Sequence, residues 1–254
     1  MLRGDQMIQF PGKLRADAVI FDFDGVIVDT EPLHYAAFQR LLEPIGRGFT
    51  WETYVKVYMG FDDRDAFLEA FRGSESVFDA QYLQEMIDRK AALFQEIIHD
   101  GSIRTYPGVV SLIRKIHDYR FPLAICSGAL RSDILPVLET LNISCCFDVI
   151  ITAEDVARSK PDPECYRLAL RKLNQFRSLD LPASRVIAIE DTPAGIEAAS
   201  NAGLQVLGVT NSYPAEYLSR ADCIIESLDT DEIVPECQII FQEAASNGLP
   251  QDTA

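Results

Sequence analysis

The stretch AVIFDFDGVIVDTE, residues 18–31, constrains the fold more than any other part of the chain. Ala18-Val19-Ile20-Phe21 is a continuous apolar run of the length that suits a strand buried on both faces, and it ends at once in Asp22-Phe23-Asp24-Gly25. Two carboxylates therefore stand where a buried strand stops. In open α/β sheets the carboxyl end of a strand is where ligands bind, and an unpaired buried carboxylate is expensive, so acids placed there need a purpose. Three readings compete. A calcium loop would continue with further oxygen ligands and a glutamate at its twelfth position, and Phe23, Val26 and Ile27 do not suit it. A plain turn would use Gly25 for its backbone angle and leave the acids solvated. A magnesium-dependent phosphoryl-transfer site would use Asp22 as nucleophile and Asp24 as acid/base.

Bulk properties narrow the partners. The 254 residues are 48% hydrophobic and 24% charged, ordinary for a globular chain with a sizeable core. A formal net charge of -16 disfavours nucleic acid and anionic membrane surfaces, which are bound through clustered Lys and Arg. Any anionic substrate must then be held by local positive groups or a metal, which screening over ~8 Å allows. No apolar run approaches the ~18 residues of a membrane span, and MLRGDQMIQFPGKLRAD lacks the apolar centre of a signal peptide, so it reads as a short extension before the first strand. The six cysteines include no C-x-x-C pair and no zinc spacing; Cys126 and Cys223 lie in apolar runs and read as small core residues. A reducing cytoplasm is the expected location.

Residues 33–102 have helical periodicity, with Ala37, Phe38, Leu41 and Leu42, then Trp51, Tyr54, Val55 and Tyr58, then Ala66, Phe67, Ala70 and Phe71, then Leu83, Met86, Ile87, Leu93, Phe94 and Ile97. Thr50 and Asp79 are placed to cap helices. Trp51 and the other aromatics of this stretch read as core, with an interface as the alternative. From Tyr106 strands alternate with helices: strands at 122–127, 147–152, 185–191, 204–209 and 222–227, helices at about 129–141, 163–173 and 192–203, and a helical tail to the C-terminus ending in a frayed GLPQDTA. Alternation of this kind predicts an α/β fold with a doubly wound parallel sheet, formed by 1–32 and 103–254, into which a helical cap of 33–102 is inserted.

Three more stretches fall at the carboxyl ends of these strands. Ser127-Gly128 could hold phosphate oxygens, although Ser-Gly is also a common turn. Lys160, in SKPDP, precedes a helix whose entry Pro161 and Pro163 fix, and could equally be a solvated charge. Glu190-Asp191 ends RVIAI, with helix capping by Asp191 or Thr192 as the alternative. Together these acids and one lysine make the inventory that phosphoryl transfer requires, hard oxygen ligands for magnesium and an ammonium to offset the remaining charge.

At this point the sequence resembles the haloacid dehalogenase superfamily. Asp22-Phe-Asp24-Gly25-Val, Ser127, Lys160-Pro161 and Glu190-Asp191-Thr-x-x-Gly195-Ile-x-Ala-Ala are similar to its four ordered motifs, over most of the chain. The DxDGVIxDTE form and the cap after the first motif resemble the branch holding β-phosphoglucomutase, phosphoglycolate phosphatase and sugar-bisphosphate phosphatases. The resemblance implies a Rossmann-like core and magnesium held by Asp22, Asp191, Glu190 and the backbone carbonyl of Asp24. It implies an aspartyl phosphate on Asp22, Asp24 as acid and then base, and phosphoryl oxygens held by Ser127, Gly128 and Lys160. Asp24 favours phosphate esters over haloacids, because the dehalogenase branch lacks an acid/base aspartate at that position. Ala194, Gly195, Ala198, Ala199 and Ala202 read as a small-residue face for packing on the sheet.

In the cap, Glu31, His34 and Arg64 are the candidate substrate residues, His34 having an alternative as a packed or capping side chain. An ungapped match puts Asp63 where the mutase carries the arginine that grips a second phosphate, with Arg64 one residue later, and Leu130 and Arg131 replace polar residues of the mutase. Hydrolysis of a small phosphorylated metabolite, a sugar phosphate or phosphoglycolate-like compound, is therefore the expected reaction. A sugar phosphomutase and a non-catalytic phosphate-binding regulator are the alternatives, and a monomer or weak homodimer the expected state.

Overall fold

The computed structural model describes residues 6–59, 61, 63–73, 79–99, 103–229, 231 and 233–237. Strands β1 (Gln6–Gln9), β2 (Arg15–Ala16), β3 (Ala18–Phe21) and β4 (Val28–Asp29) lead into helix α1 (Glu31–Leu42). The short helix α2 (Trp51–Thr53), which runs on into a π-turn over Tyr54–Tyr58, is followed by α3 (Asp63–Ala70) and α4 (Ala80–His99). The chain then alternates through β5 (Arg104–Thr105), α5 (Val109–Asp118), β6 (Leu123–Cys126), α6 (Arg131–Thr140), β7 (Val149–Ile151) and α7 (Glu164–Arg177). It continues with β8 (Val186–Glu190), α8 (Pro193–Asn201), β9 (Gln205–Val209), β10 (Cys223–Ile225) and β11 (Val234–Cys237).

The apolar runs form one six-stranded sheet in the order β10-β9-β8-β3-β6-β7, parallel throughout. Helices cover both faces, which is why its strands are continuous apolar runs rather than alternating ones. Val19 and Phe21 of β3 pack into the cluster that α5 and α6 close with Ile113, Ile116, Ile134 and Leu138. Ala18 and Ile20 face the opposite cluster, which α7 and α8 close with Tyr166, Ala169, Ile196 and Ala199. β3 lies between β8 and β6, with Val19 opposite both Ile187 and Leu123, so the acids that follow Phe21 stand at the middle of the sheet's carboxyl edge. This is the doubly wound α/β sheet expected from the alternation.

The inserted helices have their own apolar centre of Phe38, Leu42, Tyr54, Phe67 and Met86. Thr50 Oγ1 accepts from the Thr53 amide at 3.2 Å and Asp79 Oδ1 from the Tyr82 amide at 2.8 Å, so both act as N-caps. The chain leaves through β4 and returns through β5, and these pair antiparallel, Val28 with Thr105 and Asp29 with Arg104.

Three expectations need correction. The residues before β3 are more than an extension: β1 pairs with β2 and with β11 in a separate antiparallel sheet. Residues 234–237 are therefore strand rather than part of a helical tail; residues 238–254 lie outside the described residues. Trp51 is 42% exposed, its ring edge-on to Tyr35, because α2 lies on the outside of the helical insert. Among the described residues, no helix is long and apolar enough to cross a membrane.

Candidate active site

The Asp22 amide donates to the Ile189 carbonyl at 3.0 Å, so β3's ladder with β8 carries on to the first acid. The chain then turns: Ile27 N donates to Phe23 O at 2.9 Å and Gly25 N to Val28 O at 2.9 Å. Gly25 has φ +80°, and a Cβ there would lie 1.9 Å from Asp191 Oδ2, so both its backbone angle and the neighbouring carboxylate require glycine. Asn211 Nδ2 clamps the turn from β9's side, donating to the Gly25 carbonyl at 2.7 Å.

Lys160 lies at the centre. Its Nζ donates to Asp22 Oδ1 and to Glu190 Oε1, each at 2.6 Å, and to the Cys126 carbonyl at 3.0 Å. With its side chain 14% exposed and these three partners, it is an enclosed, paired cation and not the solvated charge a lone lysine usually is. Tyr166 OH donates to the same Glu190 oxygen at 2.5 Å, and its ring lies 5.2 Å from the ammonium. Burial opposes the charge on Lys160, but Asp22 and Glu190 hold its pKa well above the usual lysine value. Burial pushes Asp22 well above the ordinary carboxylate range, with Lys160 working against the rise.

Asp24 is held apart from this bridge. Thr30 Oγ1 donates to its Oδ1 at 2.6 Å and Ser127 Oγ to its Oδ2 at 3.4 Å, while the Ser127 hydroxyl also accepts from the Ala129 amide at 3.0 Å. Burial raises the Asp24 pKa and the Thr30 hydrogen bond lowers it. Gly128 is exposed, with open space where a side chain would be.

The second acidic pair divides its work. Thr192 is the helix cap, its Oγ1 accepting from the Gly195 amide at 3.0 Å, which leaves Asp191 with no capping role. Asp191 is fully buried and neither carboxylate oxygen has a hydrogen-bond partner. Burial first, and Glu190 second, push its pKa up to about 7, with the neighbouring Ser212 hydroxyl and the Lys160 charge working against the rise. Oxygens of Asp22, Glu190 and Asp191 lie within 4.8 Å of one another. A buried, all-oxygen donor set with one unpartnered carboxylate and an excess of acid over lysine suits a hard divalent cation such as magnesium. Gly195 also belongs to this site: a Cβ there would meet the Glu190 carboxylate at 2.0 Å. The small-residue face of α8 is therefore shaped at Gly195 by the acid rather than by the sheet, Ala198 and Ala199 pack as expected, and Ala194 is exposed instead.

The insert contributes a second polar group above Asp24. Glu31, at the start of α1, accepts from Tyr54 OH at 2.5 Å. His34 stacks on Phe94 with centroids 4.3 Å apart, and its Nδ1 lies 2.6 Å from Lys90 Nζ. Burial, and then the Lys90 charge, lower the His34 pKa well below the usual histidine value, so the ring is neutral and Nδ1 accepts from the ammonium. Lys90 is 2% exposed, donates to Asp63 Oδ1 at 2.6 Å, and lies 5.0 Å from the Phe38 ring. Arg64, expected among the substrate residues, is exposed on α3, and its neighbour Asp63 makes the inward contact.

Sequence reasoning missed Lys90, Thr30, Tyr166 and Asn211. Lys90 had a signal: it falls on the apolar stripe of α4 between Met86 and Phe94, where a lysine is out of place unless paired.

The sequence profile of haloacid dehalogenase-like hydrolases matches residues 19–209. The chain belongs to this family. Among haloacid dehalogenase-like hydrolases it is similar to the phosphorylated carbohydrates phosphatase of Thermotoga maritima, 31% identical over 200 residues, 77% of this chain and 86% of that one. The β-phosphoglucomutase of Bacillus subtilis is 29% identical over 201 residues, 78% of this chain and 84% of that protein. The crystal structure of CbbY from Rhodobacter sphaeroides in complex with phosphate superposes with a TM-score of 0.72 at 25% identity, covering 84% of this chain and 95% of that one. The helical cap over a Rossmann-like core is thus the architecture this hydrolase shares with its relatives.

Proposed function

We propose that this hydrolase is a cytoplasmic, magnesium-dependent phosphatase of a small phosphorylated metabolite, working through an aspartyl phosphate on Asp22. The reading rests above all on the Asp22–Lys160–Glu190 bridge beside the unpartnered Asp191 carboxylate. Asp22 attacks phosphorus in line: its carboxylate oxygen forms the new P–O bond as the bond to the ester oxygen breaks. Lys160, in contact with Asp22, offsets the charge of the phosphoryl oxygens, and Ser127 with the Gly128 amide holds them. Asp24 gives its proton to the departing ester oxygen, then takes one from the water that releases phosphate and restores Asp22. Its raised pKa keeps a proton available nearer neutral pH, and Thr30 fixes its orientation. Carboxylates of Asp22, Glu190 and Asp191, with the Asp24 carbonyl, would hold magnesium, which supplies charge neutralisation of the transferred group. The core of 1–32 and 103–254 carries this chemistry, and the cap of 33–102 covers it and excludes water.

A sugar phosphomutase, which would return the phosphoryl group of Asp22 to a second sugar hydroxyl instead of water, is the second reading, favoured by the likeness to β-phosphoglucomutase. Phosphate release from a panel of phosphorylated sugars and short phospho-acids, with and without magnesium, tests the first. Release should require magnesium and vanish in Asp22→Asn; release that persists in that variant overturns the assignment of the nucleophile.

A further inference from the structure

Two loops carry the groups assigned to the phosphoryl oxygens, and Arg131 ties those loops together. β6 and β7 are neighbours in the sheet, Cys126 opposite Ile151, so the turn of 127–130 after β6 and the loop of 152–163 after β7 leave the same carboxyl edge side by side. The first carries Ser127 and Gly128, the second Lys160. At the inner end Lys160 Nζ joins them, donating to the Cys126 carbonyl at 3.0 Å. Further out, the Ser127 amide donates to the Ile151 carbonyl and the Ala153 amide to the Ala129 carbonyl, both at 3.0 Å.

At the outer end the tie is Arg131, the first residue of α6. Its amide donates to Glu154 Oε2 at 3.0 Å, and its Nη2 to Asp155 Oδ2 at 2.8 Å and to the Ile150 carbonyl at 3.1 Å. β7 is the edge strand of the sheet, where outward carbonyls have no ladder partner. Asp155 is itself fixed: Thr152 gives the same Oδ2 its amide and its hydroxyl, each at 3.0 Å, and Lys172 Nζ lies 3.3 Å from Oδ1. Burial opposes the charge on Asp155, but the Thr152 and Lys172 contacts hold its pKa below the usual carboxylate range, so the bond from Arg131 is charge-assisted. Among the described residues these are the hydrogen bonds of Arg131. The residue that stands where the mutase has a polar one is thus engaged by the scaffold.

We propose that Arg131 is a positioning residue for phosphoryl binding: by strapping the turn of 127–130 to the loop of 152–163, it sets the gap between Ser127 and Gly128 on one side and Lys160 on the other. This rests on the reading of those three as phosphoryl-holding groups and adds what spaces them. A misplacement of about 1 Å in a site costs about 100-fold, so a contact that contributes little to stability still governs affinity. The Arg131 and Asp155 side chains are 41% and 20% exposed, and Asp155 keeps Thr152 and Lys172 when Arg131 is removed. No buried charge is stranded, and variants at 131 fold.

In Arg131→Ala, calorimetry with inorganic phosphate and magnesium should show phosphate bound about tenfold more weakly than by the parent, and KM for para-nitrophenyl phosphate should rise by about as much while kcat changes less than about threefold. The shift in melting temperature that magnesium alone produces should stay as in the parent, because Asp22, Glu190 and Asp191 come from the ends of β3 and β8 and not from the strapped loops. Arg131→Lys, which keeps the charge but not the planar fork, should recover part of the loss, and Asp155→Asn should add little to Arg131→Ala in the double variant. Phosphate affinity unchanged in Arg131→Ala, or weakened only together with the magnesium shift, overturns the proposal. Amide exchange read by mass spectrometry, without ligand, gives a second measure: peptides covering 127–131 and 152–160 should both exchange roughly tenfold faster in Arg131→Ala, and faster exchange in the first alone overturns the coupling. If the parent neither binds inorganic phosphate nor releases it from para-nitrophenyl phosphate, the phosphatase reading falls, while faster exchange in both segments still supports the strap.

Discussion

Thr30 Oγ1 donates to Asp24 Oδ1 at 2.6 Å, from the residue that immediately precedes α1 to the acid that follows β3. One hydroxyl therefore couples the entrance of the cap to the group proposed as acid and base. In Thr30→Val the side-chain hydrogen bond left on Asp24, among the described residues, would be that of Ser127, at 3.4 Å. We expect kcat to fall by about 10–100-fold with KM little changed, and Thr30→Ser to recover most of the loss. Steady-state kinetics of the two variants decides this. Equal impairment of both would assign Thr30 a packing role only.

Gly195 separates helix propensity from the site. Alanine is the better helix former by about 1 kcal/mol, and the position is inside α8. Yet the new methyl would stand 2.0 Å from the Glu190 carboxylate, which Lys160 and Tyr166 hold in place. Gly195→Ala should lower stability by about 1–3 kcal/mol and activity by at least tenfold. A variant as stable and active as the parent in urea titration and turnover would show that Glu190 can move at little cost.

Removing magnesium should be readable without catalysis. Asp191 brings a buried carboxylate with no hydrogen-bond partner, which a divalent cation would compensate. Magnesium at 100 times its dissociation constant should stabilise the parent by about 2.7 kcal/mol, reversed by a chelator. Asp191→Asn should lose most of that gain and, with no metal present, melt at a higher temperature than the parent. Thermal unfolding with and without magnesium checks both, and an unchanged magnesium shift in the variant would exclude Asp191 from the ion's binding set.

His34 sets a pH dependence of known sign. Its pKa in the folded protein is depressed below the value of about 6.5 in an unfolded chain. Between those two values the unfolded chain binds more protons, so the contribution of His34 is fully present above about pH 6.5 and is lost as pH falls through that window. The raised carboxylates act in the opposite sense, and comparison with His34→Gln cancels them. The stability difference, parent minus variant, should shrink between pH 7.5 and 5.5 with a slope of at most about 1.4 kcal/mol per pH unit. A difference that is independent of pH in urea titrations would mean that His34 is not held neutral.

The sheet was legible because its strands, buried on both faces, are apolar runs that stop abruptly at polar residues, and each stop marks the carboxyl edge. Asp22, Ser127, Lys160 and Asp191 were found that way, although Lys160 alone resembles any surface lysine until Asp22 and Glu190 are placed around it. What stayed hidden depends on contacts between residues far apart in sequence. The Gln6–Gln9 strand is recognised through its partners at Arg15–Ala16 and, far along the chain, Val234–Cys237. Lys90 stands out on the apolar stripe of α4, but its partners Asp63 and His34 come from other elements and cannot be read from that stripe. Tyr166 looks like an ordinary core aromatic, and only the Glu190 contact gives its hydroxyl a role. The exposure of Trp51 follows from which side of the insert α2 lies on, which helical periodicity alone does not fix.

The ribbon formed by Val28–Asp29 and Arg104–Thr105 yokes the outgoing and returning chain together. Two connections that are hydrogen-bonded to each other bend as one and do not slide apart, so the cap has in effect a single axis to swing on. Helix α4 is 20 residues long and runs back toward that axis, a lever of ~30 Å. A rotation of ~10° at the ribbon would carry its far end by roughly 5 Å. Reactant and products would then share one doorway whose width is an angle, and were its opening the slow step, the stiffness of four residues remote from the phosphorus would set the pace of turnover.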